Sequence, residues 1–113
     1  MIQLPDDFIT AFDAISESVH HNAVVHGWWE GERNDGELIA LIHSEASEVL
    51  EALRHGNPPD DKCPQFDNAT VEMADIVIRC MDMASGRSMR LAEAILAKME
   101  YNASRPYKHG KAF

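Results

Sequence analysis

Apolar side chains recur at Phe8, Phe12, Ile15 and Val19, a spacing that lines one face of a helix. The pattern predicts a first helix from about Asp6 to near His26, ended by Gly27. Trp28 to Gly36 reads as a loop with turn chemistry at its far end. A second helix is expected from near Gly36 or Glu37, carrying Leu38, Ile39, Ile42, Val49, Leu50 and Leu53. His55-Gly56-Asn57-Pro58-Pro59 ends it with a C-cap glycine followed by prolines that cannot continue it. Beyond a loop rich in proline and aspartate, Asp67 or Asn68 caps a third helix that reaches about Ser85 and is closed by Gly86. Ser88 is expected to cap a fourth, which reaches Ser104 or Arg105 before Pro106 stops it. Nothing alternates with period two. The expected fold is all-α, a four-helix antiparallel bundle with short connections.

Length allows one domain over residues 1–113, and a hydrophobic fraction of 45% is that of an ordinary globular chain. No apolar run approaches the roughly 18 residues that span a bilayer. The first seven residues carry neither a basic nor an apolar signal region, so a cytoplasmic protein with Cys63 and Cys80 as free thiols is expected. The net charge of −9 argues against binding a nucleic-acid polymer. It leaves room for a phosphate-bearing small molecule, because divalent cations can bridge acidic side chains and a polyphosphate. Lys98, Arg105, Lys108 and Lys111 concentrate positive charge in the last stretch.

The third helix gives the carboxylates their interest. On a helical wheel Glu72, Asp75, Arg79 and Asp82 fall within one stripe of roughly 80°, and nearly everything else there is apolar. Such a helix should be largely buried, and buried carboxylates need a cation. Arg79 can neutralise one of them but not three. On the second helix Glu45 and Glu48 are neighbours three residues apart, at and just beyond the edge of the apolar stripe. An E-x-x-E alone arises often on solvated faces. Two acidic pairs on consecutive helices, able to meet along one seam, point to a hard divalent ion.

Glu45-Ala46-Ser47-Glu48 followed by Glu72-Met73-Ala74-Asp75 resembles the E-x-x-E…E-x-x-D pattern of the MazG-like all-α nucleotide pyrophosphohydrolases. The likeness runs from about Gly27 to the C-terminus and includes Lys98-Met99-Glu100-Tyr101-Asn102 and the segment from Arg105 to Lys111. It implies hydrolysis of a ribo- or deoxyribonucleoside triphosphate to monophosphate and pyrophosphate, in a nucleotide-pool house-cleaning role. Glu45, Glu48, Glu72 and Asp75 would hold Mg²⁺, with Mn²⁺ as a substitute, and Glu48 or Glu45 would take the attacking water's proton. Lys98, Asn102 and Arg105 would contact phosphate or sugar, Tyr107, Lys108 and Lys111 would close over the substrate, and Trp28 or Trp29 would stack on the base. The plain alternatives are a solvated flank for the first set, a flexible tail for the second, and a tryptophan plugging the end of the bundle.

His20, His21 and His26 read as surface residues, and Phe12 and Ile15 as core. The third helix is too apolar for three short neighbours to cover, so a dimer or tetramer is expected, with a site that draws on two chains. A phosphoribosyl-nucleotide pyrophosphohydrolase is a variant within the same class. From other classes come a non-catalytic helical oligomerisation module and a ferritin-like di-metal protein, the latter disfavoured because neither acidic pair, Glu45/Glu48 or Glu72/Asp75, is an E-x-x-H.

Overall fold

In the computed structural model, which describes residues 7–112 and only the backbone of His109, four α-helices follow one another. They are α1 (Phe8–Val25), α2 (Asp35–Arg54), α3 (Asn68–Gly86) and α4 (Leu91–Ala103), with a 3₁₀ turn at Tyr107–Gly110. The expected start of the first helix at Asp6 lies outside the described residues. No strand occurs among these residues, the only bridge being Pro59 with Asp67.

The helices end as backbone chemistry requires. The Asn34 side chain accepts from Glu37 N at 3.2 Å, and that of Asp67 accepts from Thr70 N, so α2 and α3 have side-chain N-caps. Three helices close with paired 6→1 and 5→2 hydrogen bonds around a left-handed residue. That residue is Gly27 after α1, Gly56 after α2 and, against expectation, Ser88 (φ 55°) after α3. Met89 N donates to Ala84 O at 2.8 Å and Ser88 N to Ser85 O at 3.3 Å. Ser88 therefore terminates α3 and does not cap α4, whose N-cap position is Arg90 with no side-chain bond. Gly86 is the last helical residue of α3 and serves packing instead of termination.

α3 is the central helix. α2 and α1 lie along it, while α4 leans lightly on α1. The buried residues of the helices are small or slender: Ser16, Leu38, Ala52, Ala69, Met81, Ala84 and Ala92. Ile15 is not core, as the apolar spacing suggested, but 55% exposed, because α1 turns the neighbouring Ser16 inward. α3 is not covered within the chain either: Met73 (58% exposed), Val77 and Ile78 remain open. The accessible surface of 8438 Å² exceeds by about 2200 Å² the roughly 6200 Å² of a compact monomer of this mass. The radius of gyration of 16.5 Å is likewise larger than the ~13 Å of a compact chain of this length.

Between α2 and α3 the loop is tied down by Asp60, a buried carboxylate. It accepts from Lys62 N, Cys63 N and Asn68 Nδ2, each at 2.9 Å. The Cys63 amide, foremost among these bonds, holds its pKa below the usual value. Asn57 Oδ1 accepts from Ala69 N at 2.8 Å, which fixes the loop to the first turn of α3. Cys63 and Cys80 are free thiols. No helix among the described residues is long and apolar enough to cross a membrane.

Candidate functional site

Because α2 runs along α3, its Glu45 meets the first acidic pair of α3. Carboxylate oxygens of Glu45, Glu72 and Asp75 lie within 4.8 Å of one another, and all three side chains are half-buried. Loss of solvent, and then the charge of Asp75, raise the pKa of Glu72, while the Asn68 side chain opposes them with a hydrogen bond of 3.3 Å. Loss of solvent, and then the charge of Glu45, raise that of Asp75, against the pull of Arg79. The neighbouring carboxylates thus disfavour the ionised forms of Glu72 and Asp75. An all-oxygen donor set of this kind suits a hard divalent cation, whose ligand oxygens sit about 4 Å apart across the ion at 2.1 Å bond lengths. Arg79 Nε meets Glu45 Oε1 at 2.8 Å. Glu48, the fourth acid of the pattern, is exposed and outside the close trio, although its charge still acts on Glu72.

Beside this cluster, between α1, α3 and the loops, is a cavity of about 560 Å³. Glu45, Asp75 and Asp82 contribute acids to its wall, and Arg33, Lys62 and Arg79 contribute cations. Asn22, His26 and Trp28 border it from the end of α1. Of the polar stripe on α3, Asp75, Arg79 and Asp82 line this cavity, whereas Glu72 does not. Three cavity residues, Asn22, Arg33 and Lys62, had no signal in the helical periodicity, since two are on loops and one is among the last residues of α1. The i, i+4 pair Asn22 and His26 beside a tryptophan is the one local hint that was available.

The two tryptophans have different surroundings. Trp28 is 61% exposed at the cavity. Trp29 Nε1 donates to Asp82 Oδ1 at 2.9 Å and Oδ2 at 3.1 Å. Its ring meets His20 edge-on and carries the guanidinium groups of Arg33 and Arg87 at 5.1 and 5.4 Å from its centroid. Asp82 is also paired with His20 Nδ1 at 2.9 Å and lies 3.8 Å from Arg33. His20 is therefore a half-buried member of a polar network and not the surface residue expected from its sequence. Gly86 completes the seat, because a Cβ there would fall 2.7 Å from Trp29 Cζ2.

α4 contributes nothing to the wall of this cavity. Lys98 and Asn102 line a separate, open groove with Leu91, Ala94, Ile95 and Met99. Lys98 and Arg105 both stand over the ring of Tyr101, at 4.7 and 5.5 Å. Tyr107 is 88% exposed, with Lys108 against its ring. No protein-family model matches the chain, and no curated protein or solved structure matches it.

Proposed function

We propose that the chain is a divalent-metal-dependent nucleoside-triphosphate pyrophosphohydrolase of the MazG-like all-α kind. The observation that carries this reading is the meeting of Glu45, Glu72 and Asp75 within 4.8 Å, two of which, Glu45 and Asp75, line a cavity that also holds three cationic side chains. A cation alone would need only the acids, and an anion alone only the cations. A metal–polyphosphate complex needs both.

Glu45, Glu72 and Asp75 would hold Mg²⁺ or Mn²⁺, with Glu48 at the edge. The ion, when bound, neutralises phosphate oxygens and acidifies water. Hydrolysis leaves the water oxygen on the α-phosphorus and releases pyrophosphate. Glu48 is suited to take the water's proton at a carboxylate oxygen, since it makes no hydrogen bond or ion pair among the described residues. Glu45 is less free, being bound to Arg79. Arg33 and Lys62 bind phosphate oxygens. Trp28 offers an exposed ring to the base, with Asn22 and His26 as hydrogen-bonding neighbours. Trp29 is committed to Asp82.

The reading includes a homo-oligomer. A surplus of about 2200 Å² per chain lies in the range that obligate dimers bury. Lys98, Asn102, Arg105, Tyr107 and Lys108 would then reach a site from a second copy. The exposed apolar faces by themselves equally suit a non-catalytic oligomerisation module, and metal dependence separates the two. The test is pyrophosphate release from a panel of ribo- and deoxyribonucleoside triphosphates with Mg²⁺, with EDTA, and with Asp75→Asn protein. Release that disappears in EDTA and in the variant supports the enzyme. Folded protein that releases nothing, and binds neither Mn²⁺ nor nucleotide, leaves the module.

A further inference from the structure

The contact between Arg79 and Glu45 is unusual for a stabilising ion pair. It uses Nε alone, at 2.8 Å, although a guanidinium and a carboxylate can engage through two parallel bonds. Arg79 makes no other hydrogen bond among the described residues, so both Nη groups are without a partner. The arginine side chain is 35% exposed and the carboxylate only 13%, so the cation is the more open member of the pair. Arg79 also lines the cavity that Arg33 and Lys62 line, one helical turn beyond Asp75.

Glu45 therefore has two claimants, Arg79 and any divalent cation that the acidic trio takes. A guanidinium cannot discharge at accessible pH, so an arginine that gives up its carboxylate must find another anion. We propose that Arg79 exchanges Glu45 for phosphate oxygens of the substrate when a divalent cation engages Glu45. Arg79, freed when Glu45 turns to a bound cation, would then grip the polyphosphate. Metal and triphosphate are coupled through one residue, each raising the affinity for the other. This rests on the metal-site reading above.

Opposite effects of a single substitution test it. Mn²⁺ binding to the full-length protein is followed by electron paramagnetic resonance, and binding of an α,β-imido nucleoside triphosphate by calorimetry in the presence of Mn²⁺. Arg79→Gln removes the rival and the grip together. It is expected to tighten Mn²⁺ binding without nucleotide by about tenfold, the scale of one close opposite-charge interaction. It should weaken analogue binding to the metal-loaded protein by roughly tenfold or more, the scale of a hydrogen bond to a charged group. Arg79→Lys keeps the charge but lacks the fork, so metal affinity should stay within about threefold of wild type while analogue affinity falls.

If Arg79 merely holds Glu45 in place, Arg79→Gln weakens Mn²⁺ binding, and the exchange is refuted. Unchanged analogue affinity in both variants refutes it as well. Should Arg79→Gln fail to fold, as circular dichroism would reveal, the lysine variant still decides through its analogue affinity. A wild-type protein that binds no Mn²⁺ overturns the metal-site reading itself, an outcome distinct from a metal-binding protein whose variants lack the opposite shifts.

Discussion

Trp29→Phe is the substitution for which the structure gives the fullest accounting. The change keeps an aromatic ring at the junction of α1, α2 and α3 but removes the indole N–H from both oxygens of Asp82. That carboxylate is only 15% exposed, and its remaining partners are His20 at 2.9 Å and Arg33 at 3.8 Å. Losing a hydrogen bond to a charged, partly buried group costs about 1.5–2 kcal/mol. The smaller ring adds about 1 kcal/mol in lost apolar burial and weakened stacking with Arg33 and Arg87. The expected total is about 2.5–3 kcal/mol, equivalent to roughly 10 °C in melting midpoint for a chain of this size. Urea unfolding followed by circular dichroism, at one fixed protomer concentration, measures it. A double-mutant cycle with Asp82→Asn should return a coupling of about 1–2 kcal/mol between the two positions. Destabilisation below about 0.5 kcal/mol with an unchanged denaturant slope would show that the indole does not anchor the junction. The bond from the indole to Asp82 would then contribute no net stability.

Glu72 and Asp75 have folded pKa values above the ordinary ones, so the folded chain holds their protons more tightly than the unfolded chain does. Their ionisation opposes folding: the penalty is absent below the ordinary carboxyl range and complete once pH has risen past the raised values. In EDTA, Asp75→Asn should therefore raise the melting temperature at pH 7, lose that advantage as the solution is acidified, and abolish the stabilisation that Mg²⁺ gives the wild type; a lower melting temperature at pH 7 would refute this. Ser88→Gly relieves a side chain held at φ 55° and should stabilise by up to about 1 kcal/mol in the same urea assay. If a second copy covers the surface that one chain leaves open, as proposed, dilution from about 100 to 1 μM protomer should lower the melting midpoint. A midpoint independent of concentration would argue for a stable monomer.

The four helices were legible because each carries its own periodicity and its own stop signals. Glu45, Glu72 and Asp75 were legible for a related reason, since helical spacing selects a face and adjacent helices share a seam. What failed depended on contacts between elements. Ile15 and Ser16 differ by one position on α1, and only the angle at which α1 meets α3 decides which turns inward. The rule that a glycine closes a helix selected Gly86, two residues before the left-handed turn, because nothing local reveals that a tryptophan 57 positions earlier in the chain needs that space. Arg33 and Lys62 reach the cavity from loops, whose path no periodicity encodes. The bundle expected from four amphipathic segments is open within one chain, because α4 leans only lightly on α1.

The seat of Trp29 on Gly86 has a consequence for how this sequence can drift. The two positions form a single volume shared unequally, all of it given to the indole. An alanine at 86 becomes tolerable only after the ring at 29 has shrunk, and a tryptophan at 29 is accessible only from an ancestor that already had glycine at 86. Substitutions at these sites are therefore ordered in time, and among descendants of this chain the pair should change together or stay fixed.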